Sequence, residues 1–187
     1  KQELKLYTSG GDVSVTGTTG RLGAATSGGD IVISRVTGDV KAGTSGGDVV
    51  ADNVTGNIDA GTSGGDVRLS DIKGSVDAGT SGGDVILSKV EGAVRAGTSG
   101  GNINVTLIGA NKGIAAETSG GDITIAVAPD TRANIDASTS GGSVTCNLPI
   151  TIMGTMEDDA IRGTLNGGGE VIHAETSGGD VVIKGAE

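Results

Sequence analysis

The stretch TSGGDVILSKVEGAVRAG, residues 80–97, decides the fold. Its opening belongs to a longer string, AGTSGGDV, which stands at 42–49, 60–67 and 78–85. Thr-Ser-Gly-Gly begins at residues 8, 26, 44, 62, 80, 98, 118, 139 and 176, and the first six copies are spaced by 18. A fixed period of roughly 20 residues is the signature of a solenoid. The unit divides again: Gly83-Asp84-Val85-Ile86-Leu87 is echoed half a period later by Gly92-Ala93-Val94-Arg95-Ala96. Each half is a glycine turn followed by a short strand with alternate apolar residues, a pattern that a helix cannot satisfy.

Two strands and two turns per period, in register, predict an all-β, single-stranded parallel β-solenoid. Coils stack at ~4.8 Å, and right-handed coiling is the expected sense. In one coil Val85, Leu87, Val90, Val94 and Ala96 are expected to point inward and form columns with their copies. Asp71 should lie above Lys89, Lys73 above Glu91 and Asp77 above Arg95, with Asp59 above Asp77 breaking the pairing. About ten coils would make a rod roughly 50 Å long.

Composition agrees with a thin aliphatic core. Gly accounts for 37 of 187 residues, Phe and Trp are absent, and 35 % of residues are hydrophobic. Collagen would need Gly at every third position, and a disordered chain would lack the alternation. The net charge of −10 argues against nucleic acid as a partner. No apolar run is long enough for a membrane-spanning helix, so no membrane insertion by this segment is expected. Cys146 is the single cysteine and reads as a small core residue beside Val144.

We read residues 1–187 as one solenoid domain, regular over 1–97 and with longer connections over 98–187. The spacing slips to 20 and then 21 after residue 98, and an irregular loop is expected near 150–165. Met153 and Met156 read as packing residues there. Asn166 to Val171 looks like a degenerate copy of the repeat.

The series TSGGDV-x-L-x-x-V-x-G-x-V, ANIDASTSGGSV, LPITI and LNGGGEVIHAETSGGDVVI resembles the bacterial DUF4097 family of β-strand-repeat proteins, which carries the label adhesin. The resemblance covers nearly the whole chain. It implies a single-stranded β-helix on exported or envelope proteins, hence an extracytoplasmic location, with no catalytic residue to carry over.

The repeated corner is read as structural: Gly28, Gly29, Asp30; Gly46, Gly47, Asp48; Gly64, Gly65, Asp66; and Gly82, Gly83, Asp84. Gly-Gly bends the chain, and each Asp is expected to bond nearby backbone N–H groups. A carboxylate ladder with Asp30, Asp48, Asp66 and Asp84 as weak surface cation sites is the alternative. One carboxylate per coil falls short of the oxygen ligands that Ca²⁺ takes, so no metal or cofactor is expected. The Thr column reads as a hydroxyl ladder that stabilises the turn, and His173 as a surface residue.

The sequence therefore suggests a non-catalytic rigid surface module, adhesin-like, with a surface glycan or protein as ligand. The alternative is a carbohydrate-binding or carbohydrate-cleaving β-helix that uses the irregular 154–165 loop, where Glu157, Asp158, Asp159 and Arg162 form the one non-repetitive charged cluster. Self-association, end to end or lateral, is a third expectation, with Leu4–Tyr7 and Val181–Ile183 as open end strands.

Overall fold

The computed structural model describes residues 2–152 and 157–186, and these contain strands but no helix. The strands run β1 (Glu3–Tyr7), β2 (Val13–Thr19), β3 (Arg21–Ala25), β4 (Ile31–Thr37), β5 (Val40–Gly43), β6 (Val49–Thr55) and β7 (Ile58–Gly61). They continue through β8 (Val67–Lys73), β9 (Val76–Gly79), β10 (Val85–Val90), β11 (Val94–Gly97), β12 (Ile103–Leu107), β13 (Ile114–Thr118) and β14 (Ile123–Val127). The last six are β15 (Ala133–Thr139), β16 (Val144–Cys146), β17 (Ile150–Ile152), β18 (Ala160–Leu165), β19 (Val171–Thr176) and β20 (Val181–Gly185). Met153 and Met156 lie outside the described residues.

Odd and even strands of the first fourteen alternate between two sheets, and each pairs in parallel with its counterpart one period on through the regular region. The expected β-solenoid is what the chain forms. Val85, Leu87, Val90, Val94 and Ala96 are all buried, within a continuous core of Val, Ile, Leu and Ala columns. Leu69 over Leu87 and Ala60 over Ala78 are examples of such columns. Two of the three expected surface ion pairs form, with Lys89 3.7 Å from Asp71 and Lys73 3.9 Å from Glu91; Arg95 stands opposite Asp77 in register without an ion pair, and Lys41 lies 2.6 Å from Asp59. Being exposed, these pairs contribute little stability each.

The long strands do not alternate throughout. In β4, Ile31 and Ile33 point inward, Ser34 and Arg35 both face outward, and Val36 returns to the core. The phase change occurs at Arg35, whose φ is 53°, and recurs at Asn53, Asp71 and Lys89 with φ of 55°, 51° and 55°. Gly17 holds the same place in the first coil, with φ of 72°. One left-handed residue per coil thus shifts the strand by one position, so that its last apolar residue still faces inward.

Both corners depend on glycine through close approach. A Cβ on Gly65 would fall on the Gly47 carbonyl of the preceding coil, well inside van der Waals contact. The return corner is equally tight at Gly74, whose φ of 157° also lies outside the range that side chains favour.

The C-terminal part departs from sequential stacking. One sheet has the order β1-β3-β5-β7-β9-β11-β13-β19-β15-β18-β17, and the other β16-β20-β14-β12-β10-β8-β6-β4-β2. The β19–β20 coil is therefore inserted between the β13–β14 coil and the β15–β16 coil. This corrects the expectation that Val181–Ile183 is an open end strand, because β20 is paired on both sides, with β14 and β16. The expected loop at 150–165 is mostly strand: β17 and β18 form an antiparallel pair that stands at one end of its sheet, with β18 antiparallel to β15. Residues 166–170 are not a copy of the Thr-Ser-Gly-Gly corner. They make a tight reversal, with Asn166, Gly167 and Gly168 at φ of 51°, 83° and 82°, that returns the chain to β19. Cys146 is half-buried against the core rather than inside it, and burial pushes its thiol pKa up.

Two outcomes follow from this packing. Gly65→Ala should lower stability by about 2 kcal/mol, since coils must separate to admit the methyl. Gly61→Ala, whose Cβ would meet the nearest atom at 3.6 Å, should stay within about 0.5 kcal/mol; denaturant melts of both variants check the contrast. Truncation before Val171 removes a strand from inside each sheet. It should lower the melting temperature much more than removal of residues 1–19, which takes away only an end coil.

Candidate binding surfaces at the corners and the irregular flank

The Thr-Ser-Gly-Gly corners are tied by a repeated hydrogen-bond set. Thr62 is buried, and its hydroxyl donates to Gly47 O of the preceding coil at 2.7 Å while accepting from Gly65 N–H at 3.3 Å. The same pair of bonds recurs around Thr44, Thr80 and Thr98. The hydroxyl ladder read from the sequence is thus present.

The aspartates act differently from the local turn ties expected of them. Asp48 Oδ1 accepts from Asp66 N–H in the next coil at 2.8 Å, as Asp30 does from Asp48 and Asp66 from Asp84. The carboxylate therefore joins coil to coil instead of closing its own bend. The line runs from Asp12 through Asn102, Asp122 and Asp180 to Ser143. Asn102 keeps an acceptor oxygen, and Ser143 precedes β16, beyond which no further strand pairs among the described residues. Arg68 bridges the outer oxygens of Asp48 and Asp66. The Asp48 carboxyl is held below its usual pKa, first by the Asp66 N–H and then by Arg68, against an opposing effect of burial.

A second arrangement forms where the period slips. The connections 108–113, 128–132 and 166–170 come together on one flank. Asn111 Nδ2 donates to Glu170 O at 2.7 Å, Arg132 Nε to Gly168 O at 3.1 Å, and Asn166 Nδ2 to Pro129 O and Thr131 O at 2.9 and 2.8 Å. Asn134 Nδ2 adds a bond to Gly169 O at 2.7 Å. These contacts frame a recess of ≈ 870 Å³ lined by Asn111, Asp130, Thr131, Arg132 and Glu170. Thr131 is buried, and its hydroxyl has no hydrogen-bond partner among the described residues.

Glu170 also borders a shallow groove of ≈ 780 Å³ across the outer face of the larger sheet, with Asn57, Asp77, Arg95, Lys112 and His173. Beside it, Arg162 Nε lies 3.0 Å from Asp136, and His173 lies 3.4 Å from Asp136 and 3.6 Å from Glu175. His173 is therefore half-buried in a charged cluster rather than an isolated surface residue.

Glu157, Asp158, Asp159 and Arg162 do not form one cluster. Asp158 O and Asp159 O accept from Val144 N–H and Thr139 N–H, both at 2.9 Å, so this turn caps the last corner with its main chain. Arg162 has turned away to Asp136. The residues missed from the sequence are Asn111, Arg132 and Glu170. Their signal was the change of period from 18 to 20 and 21, together with Asn-Gly-Gly-Gly at 166–169.

Parallel coils, the Thr-Ser-Gly-Gly corners and the C-terminal series agree with a match to the family model described as Toastrack DUF4097, over residues 1–184. The chain belongs to the Toastrack DUF4097 family. No curated protein and no solved structure matches it. In this Toastrack chain the family's repeat residues make the shape, and the irregular residues make the recess.

The lowered pKa of Asp48 sets a pH dependence. A carboxyl that binds its proton less readily when folded stabilises the fold above its unfolded value, near 4. That contribution is lost as pH falls through the lower, folded value. Melting curves between pH 7 and pH 2 should show Asp48→Asn losing less stability on acidification than the parent. Asp48→Ala, which strands the Asp66 N–H, should cost about 1 kcal/mol at pH 7, whereas Asp48→Asn retains the acceptor.

Proposed function

We propose that this chain is a non-catalytic, exported module: a rigid spacer whose flank engages a surface glycan or a protein. The observation that supports this most is the use of the repeated polar side chains. Corner Thr hydroxyls and Asp carboxylates are spent on backbone groups of the neighbouring coil. They therefore serve the shape of the rod, leaving recognition to the flank where the repeat is interrupted.

The recess formed by 108–113, 128–132 and 166–170 presents the Asn111 amide and the Arg132 guanidinium, both held by main-chain carbonyls, beside the Asp130 and Glu170 carboxylates. Such held polar groups suit hydroxyl-rich or peptide ligands, which are oriented by a few fixed hydrogen bonds. Placement outside the cytoplasm and an adhesin-like role are what the resemblance read from the sequence suggests. The carbohydrate-cleaving alternative would need Asp158 and Asp159 to face each other across a cleft. The main chain of both caps the last corner, so this turn has a structural use that needs neither carboxylate.

The test is a glycan and envelope-polymer array read both for retention and for released oligosaccharides. Saturable retention that falls about tenfold in Arg132→Ala, without released products, is the expected result. Oligosaccharide release abolished in the Asp158→Asn/Asp159→Asn variant would replace the binding reading with the enzymatic one.

A further inference from the structure

One column of residues on the outer face of the larger sheet changes steadily along the stack. Arg21, Asp39, Asn57, Ser75, Ala93 and Gly113 stand directly before Leu22, Val40, Ile58, Val76, Val94 and Ile114, which pair from coil to coil. From Arg to Gly the side chains shorten and never lengthen, so the face clears towards β13. All of them line the shallow groove that Val171, His173 and Glu170 border at its far end.

Glu170 also lines the recess formed by 108–113, 128–132 and 166–170, so groove and recess meet there. The recess carries an independent sign of a ligand. Thr131 lines it and is 6 % exposed, and its hydroxyl has no hydrogen-bond partner among the described residues. A buried polar group left unpaired is rare in folded chains, and a ligand hydroxyl that bonds it removes the deficit.

Charge and polarity select the occupant. Lys41 neutralises Asp59 at the groove. The other carboxylates, Asp39, Asp77 and Glu170, are balanced by Arg21, Arg95 and Lys112, and none of these makes an ion pair among the described residues. A polyanion would meet the three carboxylates and a net charge of −10, and a polycation would meet the three cations. Unpaired donors and acceptors side by side suit hydroxyls, which both donate and accept. A protein partner would bring an apolar interface core, yet Val171 is the one large apolar side chain exposed among the groove residues.

We propose that the flank binds a neutral linear polysaccharide, with a chain end in the recess beside Thr131 and Arg132 and the chain laid along the stack axis over Gly113, Ala93 and Ser75. This rests on the reading of the flank as a binding region and adds the form and course of its ligand. From β5 through β7, β9, β11 and β13 to β19, the groove runs about 24 Å at the usual strand spacing.

Ladders of cello-, xylo- and manno-oligosaccharides titrated against the 187-residue chain test this. For a ladder that binds, affinity should rise about tenfold as the oligomer lengthens to about 24 Å, stay level beyond it, and be indifferent to salt. Ala93→Arg and Ala93→Glu put a long side chain of either sign across the groove, at a column position where Arg21 shows that such bulk fits a coil. With melting curves unchanged, both should reduce the affinity of long oligomers to that of short ones. Arg132→Ala, in the recess, should weaken short and long oligomers alike. Binding independent of length, long-oligomer binding unmoved by both Ala93 variants, opposite effects of the two, or a salt-sensitive preference for a charged polymer would each overturn the proposal and leave the flank as a binding region. Binding of no ladder would overturn it as well, and an array without any retention would overturn the flank reading with it.

Discussion

The approach of one glycine corner to the next is the contact on which the rest depends. At Gly47, Gly65 and Gly83 the chain passes so near the preceding carbonyl that a methyl has no room. The Thr hydroxyl and Asp carboxylate then satisfy the backbone groups that this approach leaves outside the sheet ladders. Strand pairing, apolar columns and surface ion pairs all inherit their spacing from that corner. Without it, single coils with a thin aliphatic core have little to bury on their own.

The same device explains which substitutions the repeat tolerates. The ladder needs an acceptor oxygen rather than a charge, so Asn102 serves inside the stack. Ser143 serves before β16, beyond which no further strand pairs among the described residues. Arg35, Asn53, Asp71 and Lys89 share a left-handed backbone although their side chains have little in common. That constraint is on the main chain and its phase, and the side chains are free to form the exposed ion pairs.

The regular coils were legible because their information is local and redundant. Val85, Leu87, Val90, Val94 and Ala96 could be assigned inward from periodicity, and the column pairs Asp71–Lys89 and Lys73–Glu91 from the constant offset between coils. The direction of the Asp bond was not legible, because an Asx turn and a ladder to the next coil need the same sequence. The recess was legible only as longer connections somewhere after residue 98, and the expected loop was placed at 150–165 instead. The period slip does not say which connections gather, because the meeting of Asn111, Arg132 and Glu170 depends on the 166–170 reversal that follows β18. The charged run at 157–162 misled because charge density on a turn does not reveal that its carbonyls cap a corner.

The sequence by itself determined the coil: its length, its two faces, its inward columns and the glycine corners, all of which recur with every repeat. Only the tertiary structure decided the order of the last coils. The corners at residues 118, 139 and 176 are near-identical docking surfaces, and any of them could follow any other. The antiparallel β18 occupies the far side of β15, and the 166–170 reversal then delivers β19 to the place left open between β13 and β15. A repeat specifies which surfaces fit together; the connections between them settle which copy fills each place.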